Sequence, residues 1–135
     1  MLEVERHVKY ADIASYIAQG ELEHSLLVVE KHMRAAIESG ELEEMCRMNL
    51  FFSWIYYLYH HNPICIQYCQ KVLKHKEILD DNLVIQAYLV RSLAHFRQGK
   101  LTRVYDAIQE CFKLNPNSAE AKTMMEVLQI RLNVD

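Results

Sequence analysis

The stretch NLFFSWIYYLYHHNPICIQYCQKVLK, residues 49–74, can be laid on YLVRSLAHFRQGKLTRVYDAIQECFK, residues 88–113, at an offset of 39. Leu50 then falls on Leu89, Ser53 on Ser92, Cys65 on Val104, Cys69 on Ile108 and Val72 on Cys111. Each copy reads as helix, tight turn, helix, because apolar residues recur at three- and four-residue steps on both sides of a break. His60-His61-Asn62-Pro63 breaks the first copy and Gly99 the second. A repeat of roughly 35 to 40 residues built from two helices is the signature of stacked helix hairpins. Such a hairpin cannot bury its apolar face alone, so neighbours stack and outer helices cap the ends.

Working outward, the same periodicity continues. Residues 22 to 38 carry Leu22, Leu26, Val29, Met33 and Ala36-Ile37 as one stripe, bracketed by Gly20 and Gly40. Residues 3 to 18 read as one amphipathic helix. Residues 42 to 60 are apolar nearly all round, so that helix must be covered on two sides. Asn62 suits the cap of the next helix, with Pro63 in its first turn. Asn115-Pro116-Asn117 stops the helix over 101 to 114, and Ser118 is placed to cap the last one. The expectation is an all-α fold of stacked antiparallel hairpins, a tetratricopeptide-like superhelical bundle of six to seven helices. Residues 1–20 form a helical arm and residues 21–135 the domain, with hairpins over 42–75 and 82–114. Residues 3 to 38 and 118 to 132 serve as caps.

Composition agrees. The 135 residues include three glycines and two prolines, too few for the turns of a sheet protein. About half of the chain is apolar, enough for a core. The net charge of −3 provides no field to gather nucleic acid or anionic lipid. The first twenty residues are too charged for a secretory leader, and no run of 18 apolar residues occurs. Cys46, Cys65, Cys69 and Cys111 fall inside apolar helical stretches and read as buried, reduced thiols.

Metal and catalytic readings are weak. His60, His61, Cys65 and Cys69 are zinc-ligand types, yet Asn62-Pro63 interrupts the helix that would align them. The repeat also places the two cysteines on core positions. No nucleophile elbow, phosphate-binding loop or dinucleotide fingerprint is present. The reading is therefore a non-enzyme with no cofactor and no metal. The methionines Met45, Met48, Met124 and Met125 read as core, and Lys71, Lys74, His75 and Lys76 as a solvated helix end.

The second copy carries a tetratricopeptide pattern: Gly99 and Leu101 at the turn, Leu114-Asn115-Pro116-Asn117 as the repeat ending. Val104 and Cys111 depart from it where alanines are usual, and Arg91 where a leucine is. With SLLVVEKHMR (25 to 34), the aromatic FFSWIYYL and AHFRQGKLTRVYDAIQECFKLNPNSAEAKTM in register, residues 22 to 132 resemble the cytosolic domain of the mitochondrial fission 1 protein family. The first 20 residues and the absence of that family's membrane tail after IRLNVD depart from the pattern.

The resemblance implies an adaptor on the cytoplasmic face of the mitochondrial outer membrane, and of peroxisomes. There it would recruit a dynamin-related fission GTPase or a bridging adaptor, as a monomer or weak dimer anchored by a tail. The alternative is a generic peptide-binding or co-chaperone module in the cytosol. Modules that grip a terminal carboxylate need Lys, Arg and Asn in the groove, and this chain has Leu and Trp there. By the repeat pattern the groove is lined by Leu50, Trp54, Tyr57, Leu58, Gln86, Leu89, Leu93, Phe96 and Arg97. Two states stay open: a groove free for a partner, or one filled by residues 3 to 18, which a displaceable latch would reconcile.

Overall fold

The computed structural model describes residues 2–134. Met1 and Asp135, the outer ends of the expected arm and domain, lie outside them. The described residues are all helical. Two short 3-10 turns, Glu3–Arg6 and Val8–Tyr10, lead into seven α-helices. These are α1 (Ala11–Ala18), α2 (Leu22–Ser39), α3 (Leu42–Leu58), α4 (Asn62–Leu73), α5 (Asp81–Arg97), α6 (Leu101–Leu114) and α7 (Ala119–Val134). Each helix packs on the next, and α3 also touches α5. Short connections force the antiparallel arrangement.

Three hairpins, rather than two, share one turn geometry. The turn residues Gly20, His60 and Gly99 have φ of 73°, 61° and 73°. In each, two N–H groups bond back to the preceding helix. Glu21 donates to Tyr16 O at 2.9 Å, His61 to Tyr56 O at 2.9 Å and Lys100 to His95 O at 3.0 Å. Gly20, His60 and Gly99 donate to Ile17, Tyr57 and Phe96 O. This is the paired closure that ends a helix on a left-handed residue. Glycine takes that conformation freely; His60 takes it at a cost.

The spacing of 40 and 39 residues carries through the core. Ile13, Ser53 and Ser92 share one place; Ser25, Cys65 and Val104 share a second; Val29, Cys69 and Ile108 share a third. All nine are 0% exposed. Burying a Val or Ile side chain stabilises by about 1.5–3 kcal/mol, so these positions hold the hairpins together. The buried serines satisfy themselves locally. Ser25, Ser53 and Ser92 donate to the carbonyls of Leu22, Leu50 and Leu89, at 2.6, 2.6 and 2.7 Å.

Two local expectations change. Residues 3 to 18 are not one helix: two 3-10 turns, joined at the extended His7, precede the eight-residue α1. Nor does Asn62 cap α4. The shared turn makes His61 the residue before the helix, with no side-chain cap bond, and Asn62 becomes its first residue. Ser118 does cap α7, its Oγ accepting from Ala121 N at 3.2 Å. Asp80 caps α5, accepting from Asn82 N at 2.8 Å.

Candidate functional site

The first helix of each hairpin (α1, α3, α5) presents equivalent places to one side. Trp54 and Leu93 share one place, Tyr57 and Phe96 another, Leu58 and Arg97 a third. In α1 the same places hold Ala14, Ile17 and Ala18. Trp54, Tyr57, Leu58, Leu89, Leu93 and Phe96 are half-buried, and Arg97 is exposed. The Trp54 and Tyr57 rings stack at 5.4 Å and 13°. The Arg97 guanidinium lies 3.5 Å over the Tyr57 ring, and its Nη1 donates to Tyr57 O at 2.6 Å. Trp54 Nε1 is buried and has no acceptor. Together these residues make an apolar, aromatic strip at the C-terminal halves of α3 and α5, with one cation at its rim.

Two residues expected in the groove are elsewhere. Leu50 is 0% exposed, part of the core on α3, which packs against α2, α4 and α5. Gln86 is buried, and its side chain serves the N-terminal arm: its Oε1 accepts from Val4 N at 3.0 Å, while its Nε2 donates to Asn82 O at 3.2 Å.

That arm, Leu2–Tyr10, packs beside the strip, against Glu44, Phe51 and Gln86 of α3 and α5. Its firmest anchor is Tyr10, which is 2% exposed and donates to Glu44 Oε1 and Oε2 at 2.7 and 2.8 Å. Lys9 Nζ reaches Glu44 Oε2 at 3.1 Å, and the Tyr10 ring meets Phe51 edge-on at 5.4 Å. Burial first, and then the hydrogen bond to Glu44, push the Tyr10 phenol well above its ordinary range. A buried carboxylate with two donors on it and the Arg47 guanidinium at 3.8 Å is a paired charge. Val4 and Glu5 of the arm are also buried, and Val4 joins the core. A cavity of about 90 Å³ lies beside the arm against Gln86, Leu89 and Ser118, and one of about 270 Å³ against Arg47, Leu83 and Gln86. Both exceed the volume of a water molecule.

The remaining chemistry-bearing groups do not converge on this strip. Cys65 and Cys69 are fully buried, whereas His60 and His61 are exposed. Among the described residues, no group of three or more His, Cys, Asp or Glu is placed to hold a metal ion. Burial, then its neighbour Cys65, holds the Cys69 thiol well above the ordinary thiol range, and burial pushes Cys111 up to about 12. Met48 lies in the core, and Met45, Met124 and Met125 are half-buried. No helix among the described residues is long and apolar enough to cross a membrane.

Sequence reasoning reached the Trp54 end of the groove and missed Ala14 and Ile17. Placing the Gly20 turn on His60 and Gly99 would have found them. No protein-family model, curated protein or solved structure matches this chain.

Proposed function

We propose that the chain is a non-enzymatic adaptor that captures a protein segment in the strip formed by Trp54, Tyr57, Leu58, Leu89, Leu93, Phe96 and Arg97. The N-terminal arm acts as its displaceable latch. The observation that carries the reading is the arm itself. A short segment of two 3-10 turns already lies beside this strip, bonded through its main chain to Gln86, with two cavities next to it. A face that accepts one such segment in cis can accept another in trans. The half-buried aromatic strip, with the Arg97 cation at its rim, offers apolar surface and a charge to such a segment. The sequence resemblance supplies the partner: a dynamin-related fission GTPase or its bridging adaptor, at the mitochondrial or peroxisomal outer membrane.

The test uses a chain lacking residues 1–10 and a synthetic peptide of those residues. The peptide should bind the shortened chain saturably, and Gln86→Ala, which removes the acceptor of the Val4 N–H, should weaken it. The shortened chain should bind the fission GTPase or its adaptor more tightly than the full chain does. Failure of the peptide to bind overturns the latch. Equal affinity of both chains for the partner, or none, overturns the adaptor reading.

A further inference from the structure

The three hairpins diverge sharply at one set of equivalent places on the seam between their two helices. In the first hairpin these places hold Asp12, Tyr16, Glu21 and His24. In the second they hold Phe52, Tyr56, His61 and Ile64, and in the third Arg91, His95, Lys100 and Arg103. The first two sets are internally satisfied. Asp12 pairs with His32 at 3.4 Å, and Tyr16 stacks on His24 at 5.4 Å. Phe52 and Tyr56 both stack on Tyr68, at 5.0 and 5.7 Å. In the third hairpin the place of Tyr68 is taken by Ala107.

The basic set is close-knit. Arg91 and His95 are one helical turn apart on α5, on one face. The Lys100 N–H bonds the His95 carbonyl at 3.0 Å, and Arg103 follows one turn into α6. None of Arg91, Lys100 and Arg103 makes an ion pair among the described residues. Nearby, Glu110 is taken by Lys113 at 2.9 Å. Among the described residues, the buried Arg91 Nε has no acceptor, and the guanidinium lies 5.3 Å from the Tyr88 ring centre. A buried donor left unmatched costs stability. Moreover, α6 starts with no side-chain cap and no acid in its first turn, so its free N–H groups add to the positive field. His95 registers that field. Burial pulls its imidazole below the ordinary range, the bond to Gln98 opposes this, and Arg91, Arg103 and Lys100 lower it further.

We infer that the α5–α6 seam is a binding site for a phosphate group, held by Arg91, Lys100 and Arg103 beside His95. A compact, multiply charged oxyanion matches three cations gathered about His95 and can pair with the guanidinium forks. The overall charge of −3 hides this local surplus. It stands apart from the Trp54 strip and does not depend on the adaptor reading.

The experiment titrates the full chain with inorganic phosphate against chloride at equal ionic strength, following the His95 ring resonances by NMR. Saturable shifts are expected. Arg103→Gln, an exposed position, should weaken them roughly tenfold, and Arg91→Gln at least as much, whereas Lys122→Gln on α7 should leave them unchanged. Flotation with phosphatidylcholine vesicles, with and without phosphatidylinositol 4-phosphate, separates the two sources of the group. Binding to the phosphoinositide vesicles that Arg103→Gln abolishes assigns a lipid headgroup. Phosphate binding without vesicle binding assigns a free phosphate compound. Shifts that fail to saturate, or that match in Arg103→Gln and the parent, overturn the site.

Discussion

Replacing Tyr10 by Phe tests whether the arm is a latch. The substitution keeps the ring against Phe51 and removes only the hydroxyl that donates to both Glu44 oxygens. Lys9 and Arg47 remain within 3.1 and 3.8 Å of Glu44, so the carboxylate keeps partial compensation. Losing one hydrogen bond to a buried charge costs about 1.5–3 kcal/mol. Taken at about 2 kcal/mol, the opening equilibrium of the arm shifts roughly thirtyfold. The arm's remaining ties are the Val4–Gln86 bond and the burial of Val4 and Glu5, which do not hold the helices to one another, so the loss should appear as local opening rather than global unfolding. Amide hydrogen exchange should show residues 4 to 10 exchanging about thirtyfold faster, with α3 to α6 barely altered. If opening uncovers the groove, affinity for a groove ligand rises in proportion to the open population, up to the point where the open state dominates. Unchanged exchange in the arm, or equal acceleration across arm and core, would refute the reasoning.

Three other perturbations have defined outcomes. His60→Gly should stabilise the fold by about 1 kcal/mol, because the left-handed turn then matches those of Gly20 and Gly99; a lowered urea midpoint would show that the His60 side chain contributes something the turn geometry does not. Ile108→Ala, at a place with no exposure in any hairpin, should cost about 2–5 kcal/mol, and a loss under 1 kcal/mol by denaturation would mean that α6 is less tightly packed than described. Cys111 gives a pH dependence. Its folded thiol titrates near 12 and the unfolded one near 9.0, so between these values the folded state retains a proton that the unfolded state has lost. Its contribution is therefore complete below pH 9 and declines as pH rises toward 12. Cys111→Val, which copies Val72 of the second hairpin, should flatten that alkaline decline when urea midpoints at pH 8 and pH 11 are compared, and an unaltered slope would exclude the thiol as its source.

What the sequence by itself determined is the part of the fold set by local chemistry. Gly20, Gly40, Gly99 and Asn115-Pro116 end helices wherever they stand, and the spacing of Leu50, Ser53, Cys65 and Cys69 on their counterparts fixes two hairpins in register. The first hairpin escaped notice for a physical reason. Its equivalent core places tolerate Ile13 for Ser53 and Ser25 for Cys65, since burial selects for fit within a packed layer rather than for residue identity. His60 in place of glycine obscured the common turn. The arm lay further out of reach. Val4 and Gln86 are 82 residues apart, and Tyr10 and Glu44 are 34 apart. Nothing near Gln86 in the chain distinguishes a groove-lining amide from one that pins a returning segment. Likewise, Leu50 reads as the twin of Leu89, yet the tertiary packing buries the first fully and leaves the second half-exposed. Helix boundaries are settled by a few adjacent dihedral angles and bonds. Which half of a groove stays open is settled by contacts between distant segments, and only the tertiary structure decides those.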